Sequence, residues 1–420
     1  MSQNYFKGFN KQVLRLLEQV GKQAQKNDVN VYVVGGFVRD ILLKRKNLDV
    51  DFVVEGDAAV LVSSWALENS YKFIVHDRFG TVTVYLNRDW RVDFASARKE
   101  TYPYPGALPV VEKGSIAEDL VRRDFTINAM AVSINFGTFG HLVDEFGGQE
   151  DLKKKQIRIL HDQSFKDDPT RILRAVRFKE RFDFKLEKNT ERLFKAALKG
   201  DFLKTVKAER LFNEFKKTLR EKNFVKNVKF LSQSGGLRFL KLKNKPGLNL
   251  MKQAENFKNS ALGRSSSFAN VDWWLIAFMA LIYKESRFKV RSLTGIFNLK
   301  KADREKLFLL ADHLKVLKDL SREGLRPSDV YSLLYSFSLE NLIVMRFQAR
   351  SRCAKKYVED CVHKYRAVKL SVNGDDLKAI GITDGQKIGR VLNKLLYFKL
   401  DGCLKSRKDE IRAALSLKSS

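Results

Sequence analysis

Residues 31–54 read VYVVGGFVRDILLKRKNLDVDFVV, and their pattern decides the fold. The first four are an apolar run that suits a buried strand. Gly35 and Gly36 follow, two residues that let backbone N–H groups approach a phosphate with no Cβ in the way. Residues 37–43 give a turn or two of helix and carry Arg39 close to that backbone. Residues 48–54 then alternate, which predicts a second strand with Leu48, Val50 and Phe52 on one face and Asp49 and Asp51 on the other. Two carboxylates side by side repel each other unless a cation lies between them. The expectation is therefore Mg²⁺ on Asp49 and Asp51, beneath a triphosphate held by Gly35, Gly36 and Arg39. Alone, a Gly-Gly is an ordinary turn and an Asp-x-Asp a solvated strand face; the information is in their occurring together.

The 420 residues allow two to four packed units, and 44% hydrophobic with 30% charged residues describes a soluble globular chain. The net charge of +30 is unevenly spread. Residues 1–150 hold 18 Lys+Arg against 19 Asp+Glu, and residues 151–420 hold 61 against 30. A balanced head on a basic body suits an enzyme whose second substrate is a polyanion, with a basic face beyond residue 150 to bind it; the plain alternative is solubility. Three cysteines without C-x-x-C spacing and five scattered histidines argue against a disulfide framework or structural zinc, and for a reducing cytoplasmic setting. The N-terminal residues lack the apolar core of a signal peptide. The longest apolar run, residues 273–283, is too short to span a bilayer and predicts a buried helix, so no membrane partner is expected.

Along the chain, Phe6, Phe9, Val13, Leu16, Leu17 and Val20 predict a leading helix, and residues 58–70 another with Trp65 in the core. Residues 81–86 and 91–95 predict a hairpin, with Asp93 either facing solvent or joining Asp49 and Asp51. Residues 98–117 contain three of the six prolines and predict a loop. In residues 122–131, RRDFTINAMA, the paired arginines suit a triphosphate, and Asp124 suits a ribose hydroxyl. Residues 142–152 predict a turn around Asp144 and Gly147-Gly148. Residues 167–178, DDPTRILRAVRF, open a basic helix with Asp168 as its N-cap, and Asp168, Arg171 and Arg174 share one face. An acceptor beside a donor matches the Watson–Crick edges of cytosine and adenine and mismatches those of guanine and uracil; the same residues are also an ordinary i,i+3 ion pair. Glu209, Arg210, Glu214 and Lys217 form a charged helix face able to buttress that helix.

The Gly-Gly turn followed by Asp-x-Asp resembles the nucleotidyltransferase superfamily. RRDFTINAMA and DDPTRILRA are similar to motifs of the bacterial tRNA nucleotidyltransferase (CCA-adding) and poly(A) polymerase family. The resemblance covers residues 30–220 and returns at 370–406, a stretch that looks like the tRNA-gripping tail of CCA-adding enzymes; there Gly381, Gly385 and Gly389 suit either a phosphate or close helix packing. It implies an α+β nucleotidyltransferase (palm-like) head over residues 1–145, then a mostly helical neck (146–220), body (221–320) and tail (321–420). It also implies that Asp93 is a third catalytic carboxylate beside Asp49 and Asp51. Arg123 and Asp124 would meet the ribose, and Asp168, Arg171 and Arg174 the base, with Asp167 in place of the family's usual Glu. The partners expected are tRNA, CTP and ATP, and the reaction is C and A addition to a tRNA 3′ end with release of pyrophosphate. Other readings are a CC-adding or A-adding enzyme, a poly(A) polymerase, or an RNA-binding protein without catalysis; a metal-dependent phosphohydrolase lacks its usual His-Asp clusters. Oligomeric state is not legible in the sequence.

Overall fold

Residues 31–54 hold the two strands at the middle of a mixed sheet. The computed structural model describes residues 5–6, 10–45, 47–76 and 80–418. The first elements are α1 (Lys11–Lys26), β1 (Asn30–Val34), α2 (Gly36–Leu42), β2 (Asp51–Glu55), α3 (Ala58–Glu68), β3 (Lys72–His76), β4 (Thr81–Tyr85) and β5 (Arg91–Ser96). After them come β6 (Arg98–Thr101), β7 (Val110–Lys113), α4 (Ile116–Val121), β8 (Ala131–Ser133), β9 (Leu142–Val143) and α5 (Gly148–Lys153). The strand order β3-β4-β5-β2-β1-β8-β9 is antiparallel throughout except for β2 and β5. That parallel pair sets Asp51 opposite Asp93. Phe52 and Phe94 stack at 4.5 Å, and Trp65, 3% exposed, packs on Phe94. Val13, Leu16, Leu17 and Val20 are buried as expected; Phe9 lies outside the described residues.

Two sequence expectations are corrected. The second strand starts at Asp51, not Leu48: Leu48 is 52% exposed, and Asp49 lies outside the strand. The reason is the partner. β1 ends at Val34, the chain turns at Gly35, and nothing on that side remains to pair with residues 48–50. Residues 98–117 are not a loop but an antiparallel ribbon of β6 and β7, pairing Arg98 with Lys113 through Thr101 with Val110, and then the start of α4. Its three prolines sit between the two strands, where no ladder needs their missing N–H.

A second run follows: β10 (Gln156–Ile157), α6 (Ser164–Asp167), α7 (Thr170–Phe182), β11 (Lys185–Leu186), α8 (Lys188–Lys199) and α9 (Ala208–Arg220). α5 is capped by Asp144, whose carboxylate accepts from the N–H groups of Gly148 (2.6 Å) and Gln149 (2.9 Å). All elements to this point belong to one compact unit, which also takes in Phe230–Phe239. The division falls inside α10 (Phe224–Ser234).

The other unit, Lys222–Lys229 and the residues from Leu240 onward, is helical. It contains α11 (Leu248–Asn259), α12 (Trp273–Ile282), α13 (Arg287–Ile296), α14 (Lys301–Phe308), α15 (His313–Asp319) and α16 (Pro327–Leu334). α17 (Leu339–Gln348), α18 (Arg352–His363), α19 (Gly374–Ala379), α20 (Gly385–Leu400) and α21 (Arg407–Lys418) complete it. α12 is buried from Trp274 to Ile282, as its apolar run predicts. Among the described residues no helix is long and apolar enough to cross a membrane. A Cβ at Gly385 or Gly389 would meet nothing within 4 Å, so close helix packing is not what selects glycine there.

Candidate active site

Gly35 takes φ +68° and ψ −125°, a conformation relaxed only in glycine. Its N–H donates to the Met130 carbonyl (3.2 Å), closing the sheet; of the two glycines expected to face a phosphate with their N–H groups, this one does not. What Gly35 supplies is room, since a Cβ would stand 2.8 Å from Arg123 Nη1. Gly36 opens α2. Arg39, 5% exposed, donates to Asp40 Oδ1 (2.9 Å) and Asn128 Oδ1 (2.6 Å) and stacks over the Phe182 ring at 4.6 Å.

Over this turn lies a cavity of about 550 Å³. Nine arginines line it against four carboxylates, Asp51, Glu100, Asp124 and Asp168, a balance that selects a polyanion. α7 contributes Arg171, Arg174, Arg177 and Arg181 to one face, and the first two are those the sequence singled out. The guanidinium groups of Arg174, Arg177 and Arg181 lie 5.1–5.8 Å from the Phe178 ring, which turns a run of like charges toward the cavity on an aromatic support.

Asp51 lines this cavity and also a neighbouring one of about 310 Å³, shared with Thr81, Thr83, Asp93, Arg122 and Arg123. Burial, and then the nearby Asp49, push its carboxyl up to about 6; Arg123 opposes the shift and Asp93 adds to it. Asp51 therefore feels both of the other sequence-predicted carboxylates, although Asp49 is exposed and off the ladder. Thr83 Oγ1 donates to Asp93 Oδ1 at 2.5 Å. Among the described residues no three His, Cys, Asp or Glu side chains are grouped so as to hold a metal ion by themselves. Mutually repelling carboxylates, with coordination positions left for water and phosphate oxygens, still fit Mg²⁺ by their chemistry.

Asp119, fully buried, was not singled out by the sequence reading. Its Oδ1 accepts from Arg122 Nε (3.0 Å) and Nη2 (2.7 Å), and its Oδ2 from Arg123 Nε (3.2 Å) and Nη2 (2.8 Å). Burial alone would raise this carboxyl, but Arg123 and Arg122 outweigh it and hold it below the usual range. The signal for it was present: Asp119 stands three and four residues before the paired arginines.

Asp124 has a different task from the one expected. Oδ1 accepts from Phe125 N (2.9 Å) and Asn128 Nδ2 (3.0 Å), and Oδ2 from Arg174 Nε (2.7 Å) and Nη2 (2.6 Å). Those bonds use the four acceptor positions of a carboxylate, so Asp124 aims Arg174 and leaves no lone pair for a ribose hydroxyl. Burial raises its carboxyl and Arg174 outweighs that, holding it low.

At the far end, the N-cap of α7 is Pro169 and not Asp168, whose Oδ1 accepts from Thr170 N (3.0 Å) and Oγ1 (2.6 Å) and whose Oδ2 pairs with Arg210 Nη2 at 2.8 Å. Arg171 donates to Ser164 Oγ (2.7 Å) and to the Arg122 carbonyl (2.6 Å). Glu214 braces Arg174 (3.8 Å) and Arg177 (3.5 Å), the buttress expected of α9, whereas Glu209 faces solvent. The ribbon adds residues that reading it as a loop concealed. Glu100 accepts from Arg98 (2.9 Å), Arg122 (3.0 Å) and Tyr102 Oη (2.7 Å), and burial with Glu100 close by raises the Tyr102 phenol. Arg210 also reaches the carbonyls of Gly106 and Ala107 at 3.4 Å, so it holds the ribbon tip and Asp168 together.

A sequence profile described as the poly A polymerase head domain matches residues 31–158, and one described as a probable RNA and SrmB-binding site of polymerase A matches residues 183–248. The A-adding tRNA nucleotidyltransferase of Geobacter sulfurreducens is 36% identical over 413 residues, 96% of this chain and 47% of that protein. The chain spans about half the length, or less, of the first curated relatives it matches. A solved CCA-adding enzyme in an apo form is 35% identical with a TM-score of 0.78, covering 97% of this chain and 96% of that one. The Thermotoga maritima CCA-adding enzyme solved in complex with tRNA is 33% identical with a TM-score of 0.73, covering 98% and 97%.

Proposed function

The chain belongs to the tRNA nucleotidyltransferase and poly(A) polymerase family, and from that premise we propose that it adds C and A to the 3′ end of tRNA, using CTP and ATP and releasing pyrophosphate. The observation that carries this reading is the place of Asp51, on the boundary between an arginine-lined cavity and a second cavity shared with Asp93. The first suits the nucleoside triphosphate, the second the arriving 3′-hydroxyl.

Gly36, Arg39 and Arg123 take the phosphates, with Gly35 giving Arg123 its space. Asp119 keeps Arg122 and Arg123 in place, and Asp124 keeps Arg174 aimed inward. Asp168 and Arg171 present an acceptor and a donor to the base, and Arg174 extends that face. Asp93, steadied by Thr83, accepts the proton of the attacking hydroxyl. The oxygen attacks the α-phosphorus, the bond to the β-phosphate oxygen breaks, and pyrophosphate leaves against the arginines. Asp49 and Asp51 would hold Mg²⁺, whose chemistry is to neutralise charge on the attacking and leaving oxygens. We assign these steps to a head over residues 1–145 and a neck over 146–220, and the binding of tRNA phosphates to basic residues of a body and tail over 221–320 and 321–420. The cysteines are unpaired, which supports a reducing cytoplasmic setting.

The test is a product ladder. tRNAs lacking CCA, ending in C and ending in CC are each incubated with Mg²⁺ and CTP, ATP or both. Ordered growth to CCA and no further is expected. Addition of a single A only to the CC-ended substrate would instead make it an A-adding enzyme like the Geobacter relative, and long A tails on unrelated RNA would make it a poly(A) polymerase.

A further inference from the structure

Asp49 stands outside the ladder that fixes Asp51 and Asp93, so something else must place it. Two side-chain bonds do. Asn47 Oδ1 accepts from the Asp49 N–H at 2.8 Å, while Asn47 Nδ2 donates to Asp40 Oδ2 at 2.9 Å. Only one orientation of the carboxamide meets both partners, because one offers a proton and the other accepts one. Asp40 Oδ1 in turn receives Arg39 Nε at 2.9 Å. From the other side, Trp90 Nε1 in the turn between β4 and β5 donates to the Leu48 carbonyl at 2.9 Å. The backbone just before Asp49 is thus tied on one side to α2, which carries Arg39, and on the other to the strand pair that carries Asp93.

We propose that Asn47 and Trp90 are positioning residues for Asp49: Asn47 links it through Asp40 to the phosphate-facing Arg39, and Trp90 fixes it against the β4–β5 turn. The inference rests on the reading of Asp49 as a metal-holding carboxylate. A carboxylate on unpaired, exposed backbone samples many positions, and a displacement of about 1 Å is enough to weaken a two-carboxylate site. The sheet supplies that restraint for Asp51; for Asp49 the Val50 carbonyl, which accepts from Asp93 N at 3.4 Å, holds the following residue, and the two tethers hold the preceding ones.

The experiment measures Mn²⁺ binding to the full-length protein by calorimetry, together with steady-state nucleotide incorporation and melting temperature, for Asn47→Ala, Asn47→Ser, Trp90→Phe and Asp49→Ala. Asn47→Ala is expected to weaken Mn²⁺ binding and lower kcat by roughly 10- to 100-fold, as loss of an outer-shell partner does, with the nucleotide KM and melting temperature unchanged. Asn47→Ser keeps a hydroxyl that can accept from the Asp49 amide and should recover part of the loss. Trp90→Phe keeps the aromatic bulk and should show a smaller loss of the same kind. Wild-type Mn²⁺ affinity and kcat in both Asn47→Ala and Trp90→Phe, with binding lost in Asp49→Ala, would overturn the positioning roles and leave the metal site standing. Wild-type Mn²⁺ binding in Asp49→Ala would overturn the metal site itself, and the positioning roles with it.

Discussion

With its carboxyl near 6, Asp51 has a proton that competes with a divalent cation across the mildly acidic range. The cation needs the ionised form, so at low Mg²⁺ nucleotide incorporation should fall as the pH drops below about 6. Raising Mg²⁺ should move that acid limb to lower pH, since binding the ion releases the proton. A pH–rate profile at two Mg²⁺ concentrations checks this; an acid limb that stays in place contradicts it. Asp119 acts through two arginines at once, and its charge-assisted bonds are each worth about 1.5–3 kcal/mol. Asp119→Asn should therefore lower kcat/KM for the nucleotide by roughly 10- to 100-fold while the Asp51 acid limb persists. At this scale residue type and close spacing pointed to side chains that line one cavity, as for Asp51, Arg123, Asp168 and Arg171. They gave Asp124 to a ribose and not to Arg174, because that partner lies fifty residues on.

Gly35 connects residue to element, because β1 and α2 can meet there only with a positive φ. Gly35→Ala should cost about 1–3 kcal/mol in stability through backbone strain. It should also raise the nucleotide KM by displacing Arg123; unchanged values in chemical denaturation and kinetics would contradict both. A second element-scale test lies in the helical unit. His313, fully buried on α15, shares hydrogen bonds through Nδ1 with Gln348 Oε1 (2.9 Å) and through Nε2 with Asn341 Nδ2 (3.0 Å), both on α17. Burial lowers its imidazole from 6.5 to about 4, against a smaller opposing effect of Gln348. The unfolded chain therefore binds a proton that the folded chain refuses, so stability is full above pH 6.5 and declines as the pH falls toward 4. The decline should total about 3 kcal/mol and be smaller in His313→Gln, measured by denaturant unfolding across that range. The hairpin could be foreseen from its apolar alternation, and α12 from an unbroken apolar run. The ribbon of β6 and β7 could not, because prolines at its tip mask alternation that is mostly polar.

Over the whole molecule, the charge excess lies entirely beyond residue 150, while the arginine-lined cavity draws its arginines from residues 39 to 210. That excess of positive charge outside the cavity suits a polyanion held through its phosphates. Binding of tRNA should weaken at least about tenfold between 50 and 200 mM salt, linearly on logarithmic axes, and a flat salt dependence would contradict that role. A mixed-sheet head and a largely helical remainder were legible because the motifs recur in one order along the chain; the strand order was not. The most direct measurement is incorporation of labelled CTP and ATP into tRNA lacking CCA by the wild-type protein and by Asp51→Asn, with tRNA affinity measured in parallel. The wild type should build CCA, and the variant should lose at least about a thousandfold in rate with tRNA binding unchanged. Incorporation by the variant at anything near the wild-type rate would contradict the account.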